Sequence, residues 1–319
     1  MANYDTVNDL KADALFRAGE PIDGSSDYEA AVVTYLNAVQ QGLLLGSPFG
    51  LDRPGLPTLP IIDWWWARAI ALLQTEAAIQ AGTVALTQGV ATATFSVAPA
   101  VSVAGWHLQV GTRPVVPEII AHTAASPTAT LDAPWPDGTV TAEPFVLAKL
   151  QVTLPTDWLR SVSPGRVVVS EPPGVGWLQI VDWSTLEAVA PRSRLLEGLP
   201  DLAALLDPQT LEVRRWTTGP VRLEVPYLQL PADLSLGGTP RVPRHHRRLL
   251  AVGASVLILL DKADDKVAAL LGEFKALHGA MVQEHTHHLR RLSARFGQIV
   301  TRPAQDRATP LMTASGIVL

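Results

Sequence analysis

The run Leu249-Leu-Ala-Val-Gly-Ala-Ser-Val-Leu-Ile-Leu-Leu260 is apolar at every position but Ser255. It follows the basic segment Arg241-Val-Pro-Arg-His-His-Arg-Arg248 and leads into Asp261-Lys-Ala-Asp-Asp265. Pro243 suits a first helical turn, because its missing N–H would have had no partner there and its φ is already helical. From there Leu249, Leu250, Val252, Gly253, Val256, Leu257, Leu259 and Leu260 cover most of a cylinder. A helix apolar all round is buried in other protein, and this one falls short of the roughly 20 residues that span a bilayer. Asp264 or Asp265 then suits the cap of a second helix, with Leu270, Leu271, Phe274, Leu277, Met281, Leu289 and Leu292 at helical spacing toward Phe296. The two together read as an αα-hairpin.

Working outward, the N-terminus reads the same way. Thr6 with Asp9 resembles a cap with an acidic third position, and Val7, Leu10, Ala14 and Leu15 form one helical face. Gly19 and Pro21 end that helix. Ser26 with Glu29 suits a capping box for a second helix carrying Tyr28, Val32, Tyr35, Leu36, Val39 and Leu43. The apolar faces of this pair need a partner, and the helix near 244–260 is the candidate. Residues 44–62 read as loop. Trp64, Trp65 and Trp66 cannot all face one core, so they are expected at a domain junction or an intersubunit contact.

Between the helices the texture changes to short alternating strands. Thr83–Thr87 and Val90–Ser96 read as a hairpin, and turn residues recur about every ten positions, which suits a small sandwich or barrel. Leu211–Trp216 and Val221–Val225 read as a second hairpin around Thr217-Thr-Gly-Pro220. The expected fold is therefore α+β. N-terminal and C-terminal αα-hairpins build a helical bundle, and a β-rich middle includes an inserted small β-sandwich or barrel. The expected divisions are 1–78 (helical hairpin and Trp-rich junction), 79–150 (inserted β-module), 151–240 (β-hairpin region), 241–300 (C-terminal helical hairpin) and 301–319 (extended arm).

The chain has 319 residues, 47% of them hydrophobic, and no cysteine, so neither disulfides nor thiolate metal sites hold it together. No signal peptide or transmembrane helix is expected. Charge is uneven. Residues 1–70 hold four basic and nine acidic side chains, against twelve and six in residues 241–319. The two ends should attract, within one chain or between neighbours in an assembly.

Catalytic signatures are missing from the sequence: it has no phosphate-binding loop, dinucleotide fingerprint, nucleophile elbow or zincin motif. No enzyme activity, cofactor or resident metal is expected. His278, His285 and His288 fall near one helical face and invite comparison with an imidazole metal site, but only Glu284 is at hand to complete one. The residues singled out as interface are Trp64, Trp65, Trp66, Arg241, Arg244, His245, Arg247, Arg248 and the apolar end Ile317, Val318 and Leu319. Positive charge at a helix start opposes the helix dipole, which an acidic partner or phosphate would relieve. A DNA-binding role for Arg241–Arg248 would show as affinity falling steeply with salt.

Several of these pieces, in order, resemble phage head-to-tail adaptor (connector, or neck) proteins. They are Tyr4-Asp-Thr-Val-Asn-Asp-Leu and Ala14-Leu-Phe-Arg-Ala-Gly-Glu20, the Asp27-Tyr to Tyr35-Leu-Asn37 helix, Trp64–Trp66, Leu154-Pro-Thr-Asp-Trp-Leu-Arg160, Tyr227-Leu-Gln-Leu-Pro231, Val242-Pro-Arg-His-His-Arg and Leu260-Asp-Lys-Ala-Asp-Asp265. The resemblance covers most of the chain outside 79–150. It implies a structural virion protein, assembled in the host cytoplasm, whose copies form a ring of usually twelve beneath the portal. Implied partners are the portal protein, a tail tube or nozzle protein, a tail fibre, and double-stranded DNA passing through the channel during ejection. It implies no membrane partner. A C-terminal arm would insert into portal or neighbour grooves. The rival reading is a glycan-binding or cell-wall-acting virion protein, using Trp106 or Trp135 of the β-module as a sugar platform.

Overall fold

The computed structural model describes residues 4–49, 58–162, 164–169, 174–190 and 196–295. Among these there are sixteen β-strands and five α-helices. The expected frame, a helical bundle built from hairpins at both ends, is overturned: the protein is mostly β, with curled sheets that approach a barrel and a half-barrel. The physical reason is that long-range pairing recruits segments with little strand signal of their own. Arg68-Ala-Ile-Ala-Leu-Leu-Gln74 contains one β-branched residue, yet it pairs along its whole length with Arg222–Gln229. Strand preference is mostly a property of the surface a strand packs into, so a good partner overrides a weak local tendency.

The chain divides into two compact units, residues 1–66 with 233–319, and residues 67–232. The first holds α1 (Val7–Arg17), α2 (Val32–Leu45), α4 (Arg248–Asp261) and α5 (Val267–Arg295). Every residue of α4 from Leu249 to Leu259 is buried. Helices α1, α2 and α5 each pack on α4, and α1 and α2 touch α4 more than they touch each other, which is why they do not form an independent hairpin. Gly253 sits at a close approach of α4 to α2 and α5. A Cβ there would lie 2.8 Å from both Val39 methyl groups and 3.2 Å from Phe274 Cε2. Ser255, the one polar residue of the run, donates to Ala251 O at 2.8 Å and approaches Ala14 O at 3.1 Å.

Local signals at the helix ends fare differently. Thr6 caps α1, and the Asp9 side chain accepts from the Thr6 N–H in return, a complete capping box. Ser26 and Glu29 do not cap α2, which starts at Val32 without a side-chain cap. Ser26 instead donates to Glu20 at 2.7 Å, and Glu29 pairs with Lys11. Asp264 makes a turn that receives the Lys266 N–H at 2.8 Å, just before α5.

The second unit contains β1 (Arg68–Gln74), β2 (Thr83–Leu86), β3 (Thr92–Phe95), β4 (His107–Val110), β5 (Ile119–His122), β6 (Thr128–Leu131), β7 (Val140–Ala148) and β8 (Gln151–Thr153). It continues with β9 (Trp158–Ser161), β10 (Gly165–Val169), β11 (Gly174–Val181), α3 (Trp183–Val189), β12 (Leu196–Glu197), β13 (Leu202–Asp207), β14 (Thr210–Val213), β15 (Arg215–Trp216) and β16 (Arg222–Gln229). Six strands form a sheet in the order β4-β7-β2-β3-β6-β5. Its ends nearly meet, through a bridge between His107 and Glu118 and a hydrogen bond from Leu108 N to Pro117 O at 2.9 Å. Phe95, Trp106, Leu108, Ile119, Leu131, Trp135 and Phe145 fill its interior.

The larger sheet runs β1-β16-β10-β11-β13-β14-β8, with β9 also on β16. The hairpin expected between 211–216 and 221–225 does not form. Strand β14 pairs with β13 and β8, whereas β16 pairs with β1, β9 and β10. Between them β15 makes a short parallel pair with β12. Thr217–Pro220 is thus a link between different ladders, because each flanking strand has a better-matched partner elsewhere.

Candidate functional site

The residues singled out from the sequence converge in the first unit, around the tryptophan triplet and the histidine-bearing face of α5. Phe274, His278, Met281 and His285 are the buried stripe of that helix, spaced three and four apart. Trp64, fully buried, presents its ring to this stripe, with His278 and His285 edge-on at 5.7 and 5.5 Å between centroids. Its Nε1 donates to Leu43 O at 3.0 Å. Trp66 is buried and stacks on Trp64 at 6.4 Å. Trp65 is half-buried, stacked on His285 at 5.9 Å and on His288 at 5.8 Å, with His246 edge-on at 6.2 Å. The three histidines that share a helical face are therefore gathered as aromatic neighbours of Trp64 and Trp65. Burial pushes the His278 imidazole below its ordinary value.

The basic turn preceding α4 is tied down within the same unit. Arg241 Nε donates to Trp66 O at 3.2 Å. Arg244 bridges Asp5 through Nε at 2.7 Å and Nη2 at 3.0 Å. Arg247 fans across four carbonyls, donating to Val242 (2.9 Å), Tyr4 (3.0 Å), Asp5 (3.1 Å) and Pro240 (3.0 Å). Arg248 reaches Glu273 at 2.5 Å, and the same carboxylate accepts from Arg17 at 3.1 Å. The acidic N-terminus and the basic turn thus meet inside one chain. Ile317, Val318 and Leu319, like the rest of the arm from 301 and residues 50–57 of the loop, lie outside the described residues.

Sequence spacing did not pair His245 and His246 with Glu284. Residues 244–246 form a single 3-10 turn, which aims both imidazoles at α5. His245 Nε2 and His246 Nε2 each lie 2.8 Å from the same oxygen, Glu284 Oε2, and the two rings are 4.2 Å apart. Burial pushes His246 below the ordinary imidazole value, against the Glu284 contact that raises it. Burial alone would raise Glu284, but the hydrogen bonds from the two imidazoles outweigh it and hold the carboxyl below its usual range. The only signal that could have found this set is the adjacency of His245 and His246, and nothing in the linear order ties them to a carboxylate on a later helix.

Compared with protein-family models and with curated proteins, the chain matches none.

Proposed function

We propose that the chain is a structural virion protein: a ring-forming adaptor that joins the portal vertex of a phage capsid to the tail around a lumen for double-stranded DNA. The observation that carries this reading is the outward face of the larger sheet. Leu72 pairs with Glu224, Glu224 with Arg166, and Arg166 with Trp177, so the four residues stand in one row on one face. Leu72 is 63% exposed, Trp177 66%, and Ile70, two residues along β1, 62%. The Arg166 guanidinium lies 5.6 Å over the Trp177 ring. The opposite face, with Ala71, Leu73, Val167, Leu178, Leu223 and Val225, is the packed core. Large apolar side chains left together on an outer face mark a surface that another protein covers. Copies arranged in a ring supply that cover, and the mixed Arg–Glu charges between the apolar ends allow such a face to meet a copy of itself without net repulsion.

The order of the quoted segments supports the adaptor reading independently of that face. Trp106 and Trp135, on which a glycan platform depends, are buried in the six-stranded sheet, so no observation favours that rival. The test is the paired substitution Leu72→Glu and Trp177→Glu, on residues outside either core. Circular dichroism is expected to stay native while the assembled fraction in sedimentation velocity collapses. An unchanged assembled fraction removes this face as the contact.

A further inference from the structure

We propose that His245, His246 and Glu284 form a binding site for a divalent transition-metal ion with nitrogen preference, such as Zn2+, that staples the turn before α4 to α5. This goes beyond the adaptor reading and does not depend on it. The three donor atoms come from two elements nearly forty residues apart, and all lie within 4.8 Å of one another. Neighbouring side chains in a chain ordinarily diverge. Here the 3-10 turn, closed by the His246 N–H on Pro243 O at 2.8 Å, brings two consecutive imidazoles to one point.

The setting is rigid on both sides. Arg247 pins the turn to the Pro240 and Val242 carbonyls that precede it and to those of Tyr4 and Asp5. Met281 and His285, buried on either side of Glu284 along α5, fix the rotation of that helix. Two imidazoles and one carboxylate are a donor set that zinc takes with the remaining position open to water. Imidazole nitrogen selects such ions over Mg2+ and Ca2+, which prefer all-oxygen shells. The ion has a way in, because the His245 side chain is 59% exposed and Glu284 borders an open groove of about 530 Å³ shared with His287, His288 and Arg291.

Without an ion, each imidazole donates Nε2–H to the carboxylate. Binding requires both to carry their proton on Nδ1, freeing the Nε2 lone pairs. The donors also have to separate. Metal–ligand bonds of about 2.0–2.2 Å in a tetrahedral shell put ligands about 3.3 Å apart, roughly half an ångström more than the present contacts. Side-chain rotation of the exposed His245 and the half-exposed Glu284 supplies that. Local positive charge opposes the ion only in part, since Arg244 is paired with Asp5 and Arg248 with Glu273.

The experiment is calorimetric titration of Zn2+ into the full chain after dialysis against a chelator, with Co2+ absorption as a second readout. One ion per chain is expected, with the visible bands of low-coordinate Co2+, and no competition from millimolar Mg2+. Removing a ligand, by His245→Ala or Glu284→Gln, should weaken Zn2+ binding at least about tenfold. His287→Ala, on an exposed neighbour, should leave it unchanged. His245 is exposed and Gln keeps a hydrogen-bond acceptor, so both variants are expected to fold, as circular dichroism will check. No Zn2+ binding, binding unmoved by His245→Ala and Glu284→Gln, or binding lost in His287→Ala would each overturn the proposal.

Discussion

Replacing Gly253 with alanine tests the close packing of α4 against α2 and α5. The added methyl would stand 2.8 Å from Val39 Cγ1 and Cγ2 and 3.2 Å from Phe274 Cε2. Val39 is β-branched and lies within α2, where one χ1 rotamer is strongly preferred, so it cannot turn away at little cost. Overpacking of a dense core costs about 1–3 kcal/mol. Alanine returns about 1 kcal/mol of helix preference over glycine. The balance is a loss of about 0–2 kcal/mol. Urea unfolding followed by tryptophan fluorescence reads this directly, because Trp64 belongs to the same unit. The midpoint should fall with the slope unchanged. Adding Val39→Ala should relieve the clash, leaving the double variant at least about 0.5 kcal/mol more stable than the sum of the two single losses. A clear gain in stability in Gly253→Ala, or a double variant that merely sums the two single losses, would show that α4 and α2 are not in close contact there, and would refute the packing of α4 against α2.

Other consequences follow from the same contacts. Arg247→Lys, which keeps the charge but not the planar fork, should lose most of the four carbonyl contacts and about 1.5–3 kcal/mol, seen in the same urea assay. Ser255→Ala removes a buried hydroxyl held by Ala251 O and Ala14 O, with an expected cost of about 1 kcal/mol. Glu20 is held below the usual carboxylate range by hydrogen bonds from Lys262 and Ser26, and Asp9 by those from Thr6. Their contribution is complete above the ordinary carboxylate value of about 4 and is lost as pH falls through the lowered folded values. Thermal melts should therefore decline on acidification below about pH 4, and Glu20→Gln should flatten that decline.

Some of this architecture was legible in the sequence. The all-round apolar run at 249–260 marks a buried helix because it is longer than an ordinary buried strand and leaves no polar face for a surface helix, and α4 spans it. Thr6 with Asp9 is a local signal, closed within a few residues, and it forms as read. Val84–Phe95 and Leu86–Ala93 pair as the alternating segments on either side of Gln88-Gly89 suggest. What could not be read is pairing at a distance. Strand β1 has the composition of a helix and becomes a strand through β16, about 150 residues later. The same pairing takes 221–225 away from the hairpin its neighbours suggest, and it builds the outward row from Leu72 to Trp177 out of four separate segments. At the candidate site the sequence singled out the tryptophans, the arginines and the helical histidines. It could not show that the arginines are held by Asp5, Glu273 and main-chain carbonyls, because those partners come from the other end of the chain, from the following helix or from backbone. It missed Glu284 beside His245 and His246 for the same reason.

The most direct test of the adaptor account is the mass and shape of the purified full-length chain, measured by mass photometry and negative-stain imaging at rising concentration. The account predicts closed rings of defined copy number with an open centre, lost when Leu72 and Trp177 are both changed to Glu. A monomer at every concentration, alone and when mixed with a portal ring, would contradict it.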